Sequence, residues 1–188
     1  MTAEVSGTST LPTTRVWTVD ARHSTVGFRV KHHAVGTFRA WFSEFEGQYD
    51  AEAGKLTGSA QTASVVTFDM LKEQLLSDDF FAAHTYPTIS FESASLRIDG
   101  DLLTVEGEPT LRGVTKPVTA IGTIAGPSKV AGFGGPDKEH IGMDLEMTID
   151  RRDFGVDYNN ELLDGRLNLG WDVTLELSLE LSRPLAES

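Results

Sequence analysis

No cysteine occurs among the 188 residues, which excludes disulfides, zinc–thiolate centres and thiol catalysis together. Basic side chains are scarce: sixteen Lys and Arg stand against twenty-eight Asp and Glu, a formal net charge of −12. A surface that acidic repels nucleic acid and anionic lipid headgroups, so neither is expected as a partner. A greasy ligand held inside the protein is untouched by that argument. Also missing is any apolar run near the eighteen or so residues of a membrane span, so no integral membrane association is expected. The first fourteen residues, "MTAEVSGTSTLPTT", lack both a basic start and an apolar stretch. They read as a disordered Ser/Thr-rich lead rather than a signal peptide, and the expected location is cytoplasmic.

What is present is alternation. In "WDVTLELSLEL", Trp171, Val173, Leu175, Leu177, Leu179 and Leu181 fall on one face, and Asp172, Thr174, Glu176, Ser178 and Glu180 on the other. In "IGMDLEMTI", Ile141, Met143, Leu145, Met147 and Ile149 alternate with small or polar residues. One wet and one dry face per strand means an antiparallel sheet. Asp99-Gly100 reads as a type I′ hairpin turn that sets Leu96 opposite Leu103 and Ala94 opposite Val105. Ile89 and Phe91 then fall on the wrong face, so a bulge or a covering element is expected. "RGVTKP" reads as a second turn, and "GPSKVAGFGGPDK" as an exposed loop.

One stretch breaks the pattern. In "TFDMLKEQLLSDDFFAAHTYP", Phe68, Leu71 and Leu75 recur at helical spacing, with Ser77 or Asp78 placed to cap a further turn that carries Phe80 and Phe81. Tyr86-Pro87 forces an extended exit. The apolar residues of this helix either plug one end of the sheet or line a pocket mouth. Eight or so strands with one helical interruption predict an all-β, eight-stranded antiparallel barrel, or a sandwich, in a single domain over residues 15–183 with a tail at 184–188. A barrel of that size is either filled by its own side chains or holds one small ligand.

"HSTVGFRVKHH" puts three of the five histidines within residues 23–33. Alternation places Val26, Phe28, Val30 and His32 on the dry face, with Arg29, Lys31 and His33 on the wet one. His32 and His33 are therefore expected to point apart, and no metal site is expected. His32 is either a satisfied imidazole at the core edge or a polar contact at a cavity mouth. Asp78 and Asp79 are better explained by capping than as a catalytic pair. "DRRDFG" contains the D-F-G tripeptide without any other kinase element, and the glycine-rich loop lacks the G-K-[ST] of a phosphate site.

"WTVDARHSTVGFRVKHHAVGTFRAWFSEFEG", "LLSDDFFAAHTYPTISFES", "LTVEGEPTLRGVTKPV" and "IDRRDFGV", in that order from Trp17 to Leu181, resemble the YceI-like family of polyisoprenoid-binding, lipocalin-like proteins. The resemblance implies an extended barrel with a helix at one end and an apolar channel for an isoprenoid, isoprenoid quinone or fatty-acid-like molecule. The family's strand histidine corresponds to His32, its phenylalanines to Phe80 and Phe81, and its tyrosine-proline to Tyr86 and Pro87. Where family members often carry an Arg-Asp pair and a histidine, this chain has Leu71, Lys72 and Gln74. The side chains expected on the ligand are Val26, Phe28, Val30, His32, Phe42, Leu71, Leu75, Phe80, Phe81, Tyr86, Met143 and Leu145. No cofactor beyond that lipid is expected, and a homodimer is possible. About twenty buried methylenes at about 0.8 kcal/mol each would supply roughly 16 kcal/mol gross. The competing expectation is an enzyme acting on an apolar substrate with His32 as acid or base.

Overall fold

The alternating segments form strands, seen in a computed structural model that describes residues 16–132 and 134–185. In chain order these are β1 (Val16–Val19), β2 (Thr25–His32), β3 (Gly36–Phe42), β4 (Phe45–Asp50), β5 (Lys55–Gln61) and the two-residue β6 (Val65–Val66). Helix α1 (Asp69–Leu76) follows, then β7 (Thr88–Asp99), β8 (Leu102–Leu111), the short β9 (Val114–Thr115), β10 (Val118–Val130), β11 (Lys138–Asp150) and β12 (Leu169–Pro184). The expected lead at residues 1–14 lies outside the described residues, as do 186–188; β12 runs one residue past the expected domain end.

All pairings are antiparallel, and they close on themselves. β12 lies along the whole of β11 on one edge, from Lys138↔Pro184 to Asp150↔Asp172. Its other edge takes β2 through Val173–Ser178 and β1 through Leu181–Ser182. β1 and β2 are thus one bent stave, and β3 and β4, which pair with β2 and β1, are a second. With β5, β7, β8, β10, β11 and β12 they complete an eight-stave barrel. Polar side chains fix both kinks: the Glu180 N–H donates to Ser24 Oγ (2.9 Å), and the Glu44 N–H donates to Ser64 Oγ (3.0 Å).

The register differs from expectation in two places. The β7–β8 turn is Gly100–Asp101, not Asp99–Gly100, because the glycine takes the first turn position at φ 65°. Leu96 therefore faces Val105 and Ile98 faces Leu103, a two-residue shift that keeps the same face inward. A bulge between Ser93 and Ser95 returns Ile89 and Phe91 to the interior side, as the sequence required. The predicted glycine-rich loop is also shorter: past a bulge after Ala125, Ser128–Val130 still pair with Lys138–His140.

One half of the barrel is filled. Trp17, Leu103, Val105, Ile141, Met143 and Leu181 are each 1% exposed or less, and burying such aliphatic side chains contributes about 1.5–3 kcal/mol apiece. Arg183 covers that end, its guanidinium 4.4 Å above the Trp17 ring and paired with Glu139. The other half, under α1, is not filled.

Candidate functional site

The helix end encloses a cavity of about 160 Å³. β2 contributes Phe28 and Val30, β3 Phe38 and Phe42, β11 Ile149, and β12 Val173 and Leu175. α1 closes it with Leu71, Gln74 and Leu75. The helix begins without a side-chain cap at Phe68, which is 81% exposed, so the expected Phe68–Leu71–Leu75 stripe loses its first member to solvent. Nor does Ser77 cap a new turn: its hydroxyl donates back to the Gln74 carbonyl at 2.7 Å. Backbone bonds from Phe81 to Leu75 and from Ala83 to Leu76, with Ala82 at φ 47°, fold the chain back. Arg112 Nη1 clamps the turn by donating to the Phe80 carbonyl at 2.9 Å. Phe81 consequently meets Phe28 edge-on at 5.9 Å, and Phe80 lies 5.6 Å from Tyr158.

A second chamber of about 120 Å³ adjoins the first and shares Phe42, Ile89, Pro109 and Leu175 with it. Its wall is thinned where two inward glycines, Gly47 and Gly58, pair across β4 and β5. At roughly 30 Å³ per group, close to a water molecule's share of liquid volume, the two chambers have room for roughly nine carbons. That is half the tail expected from the sequence, because the far half is packed. A larger groove of about 760 Å³ crosses the outer face of β10–β12 past Asp144, Glu146 and Glu176; it is open and polar.

Polar groups gather at one end of the first cavity: His32, Gln74, Arg151, Tyr158 and Asn168 are all in its lining. Arg151 sits in the single 3₁₀ turn Arg151–Phe154 that follows β11, and is 4% exposed. Its Nε donates to the Gly170 carbonyl (2.9 Å), and its Nη1 to the carbonyls of Val156 (2.8 Å) and Tyr158 (2.9 Å). Nη2 is buried without a partner among the described residues, and so is Asn168 Oδ1. Burial pushes the Arg151 pKa down from its usual value, yet a guanidinium keeps its charge throughout the physiological range. Burial, and then the neighbouring His33, also push the His32 pKa down, so this imidazole is held neutral. Among the described residues no carboxylate is in the lining to orient His32 as an acid or base.

His32 and His33 do not point apart. β2 ends at His32, and positive φ at His33 (53°) and Ala34 (57°) turns the backbone so that the two rings stack with centroids 3.7 Å apart. Among the described residues no three His, Asp or Glu side chains come together as a metal site.

Of the side chains expected on a ligand, Phe28, Val30, His32, Phe42, Leu71, Leu75, Phe80 and Phe81 line the first cavity, and Val26 lines the second chamber. Three do not reach either. Met143 and Leu145 belong to the packed half. Tyr86 lies outside against the β8–β9 turn, where its ring would be 3.0 Å from a Cβ on Gly113. Sequence reasoning missed Arg151, Phe154, Val156, Tyr158 and Asn168. For Arg151 the signal was there: the inward series Ile141 to Ile149 puts residue 151 next on the same face. Trp171, expected inside, lies instead against the Arg151 and Arg152 guanidiniums at 4.4 and 4.8 Å.

With the fold and the cavity described, comparison with known proteins places the chain. Protein YceI of Escherichia coli O157:H7 is 32% identical over 143 residues, covering 73% of each chain. The crystal structure of Burkholderia cenocepacia BcnA superposes with a TM-score of 0.70 at 24% identity, over 88% of this chain and 99% of that one. A polyisoprenoid binding domain from Saccharophagus degradans, implicated in plant cell wall breakdown, superposes with a TM-score of 0.66 at 16% identity, over 89% and 98%. At those identities the two structures share the fold. The model of the YceI-like domain matches residues 17–181, and the chain belongs to that family.

Proposed function

We propose that this protein binds a single apolar or amphiphilic chain molecule inside the helix end of its barrel, to sequester or carry it. The carrying observation is the asymmetry of the interior: an aromatic-lined cavity in one half, a filled core in the other, and polar groups confined to one side of the cavity. The Saccharophagus degradans domain, described as polyisoprenoid binding, supports the reading. Nine or so buried carbons contribute about 7 kcal/mol gross. Much of that is offset by the lost freedom of the ligand, so modest affinity is expected for a short tail. A longer isoprenoid or quinone tail requires core side chains at the far wall of the second chamber, such as Met147 and Leu179, to move.

The purified protein, extracted with organic solvent, is expected to release a chain lipid detectable by mass spectrometry, or to take up one equivalent of a short-chain polyprenyl or alkyl ligand when loaded. Protein that releases no such molecule, and binds none on titration, sinks this reading.

A further inference from the structure

The buried arginine at the polar end of the cavity has chemistry left over. Arg151 carries a full positive charge at 4% exposure, and all three of its hydrogen bonds go to backbone carbonyls. The adjacent carboxylate, Asp150, is bound to Arg152 instead. The Trp171 ring stacks on the guanidinium at 4.4 Å and the carboxylates of Asp150 and Asp157 favour its charge from nearby, but no anion is bonded to it, and a buried cation without a bonded counter-charge is costly. The remaining Nη2 has two N–H groups and no partner among the described residues. Asn168, in the same lining, has an unpartnered amide oxygen, and a half-turn of that amide exchanges the oxygen for an NH2 donor. The lining contains no carboxylate to compete.

We propose that Arg151, through Nη2, anchors an oxyanion head, a carboxylate or a phosphate, at the end of the apolar chain held in the cavity. This rests on the cavity binding such a chain, and it narrows the ligand class to acidic amphiphiles. Arg151 then has two roles. Its Nε and Nη1 tie the Val156–Tyr158 segment to Gly170, and its free nitrogen reads the headgroup. A neutral alcohol would leave Nη2 without a bonded anion, and an amine would oppose its charge. The neighbouring His32, held neutral, adds no competing charge.

The test is a headgroup series on a constant ten-carbon tail, matched to the chamber volume: decanoate, decyl phosphate, decanol and decylamine, titrated calorimetrically into the unaltered protein. At about pH 8 both oxyanions are ionised and the amine is protonated. At least one oxyanion is expected to bind about tenfold or more tightly than decanol, with decylamine weakest, and the tighter of the two oxyanions names the head. Decanol binding as well as, or better than, both oxyanions overturns the anchor while leaving the container intact. If none of the four binds, decanol included, the container reading itself fails and the anchor with it. Arg151→Met should then erase the oxyanion preference, bringing the ratio of decanoate to decanol affinity down to about one. Because three carbonyls lose their donor in that variant, it is informative only if folded, and the series on the unaltered protein stands without it.

Discussion

At the residue scale, the informative position is where a strand's alternation continues into a charge. Ile141, Met143, Leu145, Met147 and Ile149 announce an inward face, and Arg151 continues it. That signal is masked because "DRRDFG" reads as a charged turn, and a charged turn is normally solvated. His32 was legible by the same parity. Its contact with His33 was not, since positive φ at two non-glycine residues is a tertiary outcome. His32→Ala is expected to lower ligand affinity roughly three- to tenfold through one lost hydrogen bond, with His33→Ala within about twofold. Equal losses in both variants, measured by the same titration, would put the stack rather than the cavity face in control. Asp150 offers a pH test. Its hydrogen bond with Arg152 holds the carboxyl down at about 2, from 3.8. The unfolded chain therefore binds more protons in that interval, and the stabilisation is complete above about pH 4 and lost as pH falls toward 2. Asp150→Asn keeps the cap on the Arg152 N–H but loses the charge, so its stability deficit in urea denaturation should shrink across that window. A deficit that does not change with pH would remove the ion pair from the account.

At the element scale, the strands and the single helix were readable because period two and period 3.6 rarely imitate each other. Faces were readable too; turn positions and helix ends were less so. The β7–β8 turn moved because glycine at φ 65° suits the first turn position; both registers turn Leu96 inward, but Ala94, expected beside it, is exposed where the bulge between Ser93 and Ser95 interrupts the alternation. α1 exposes Phe68 and Met70, each at 81%, because only its Leu71–Leu75 side meets the barrel. Where strands approach closely, the element is intolerant. A Cβ on Gly122 of β10 would stand 1.7 Å from the Asp144 carbonyl oxygen of β11. Gly122→Ala should therefore destabilise the protein by roughly 3 kcal/mol, read as a lowered urea midpoint. A midpoint within error of the parent would mean that β10 and β11 separate more easily than their register implies.

At the scale of the whole molecule, the barrel is divided between a filled half, which holds it together, and an apolar cavity in the other half, available to a ligand. The choice between a filled and a hollow barrel was legible in the alternation, but the division was not. Met143 and Leu145 look as suited to a ligand as Phe28 and Val30 until the far end is seen closed by Trp17 and Arg183. The division predicts a limit on tail length: affinity for saturated ligands should rise with each methylene to about nine carbons and then level off. Met147 stands at the limit, lining the second chamber and belonging to the packed core. Met147→Ala should move the plateau to longer tails, at a stability cost of about 2–5 kcal/mol. A plateau that stays in place would put the barrier elsewhere.

The central claim is that one chain molecule lies in the helix half of the barrel with its head at Arg151. Its most direct measurement is isotope-edited NMR of the protein loaded with unlabelled decanoate. The expected contacts run from the ligand methyl to Phe42, Ile89 and Leu175, and from the carboxyl-end methylenes to His32 and Asn168, at one ligand per chain. Contacts confined to outer-face residues such as Ile121 and Trp41, or saturation without any contact to Phe28, Phe42 or Phe81, would contradict it.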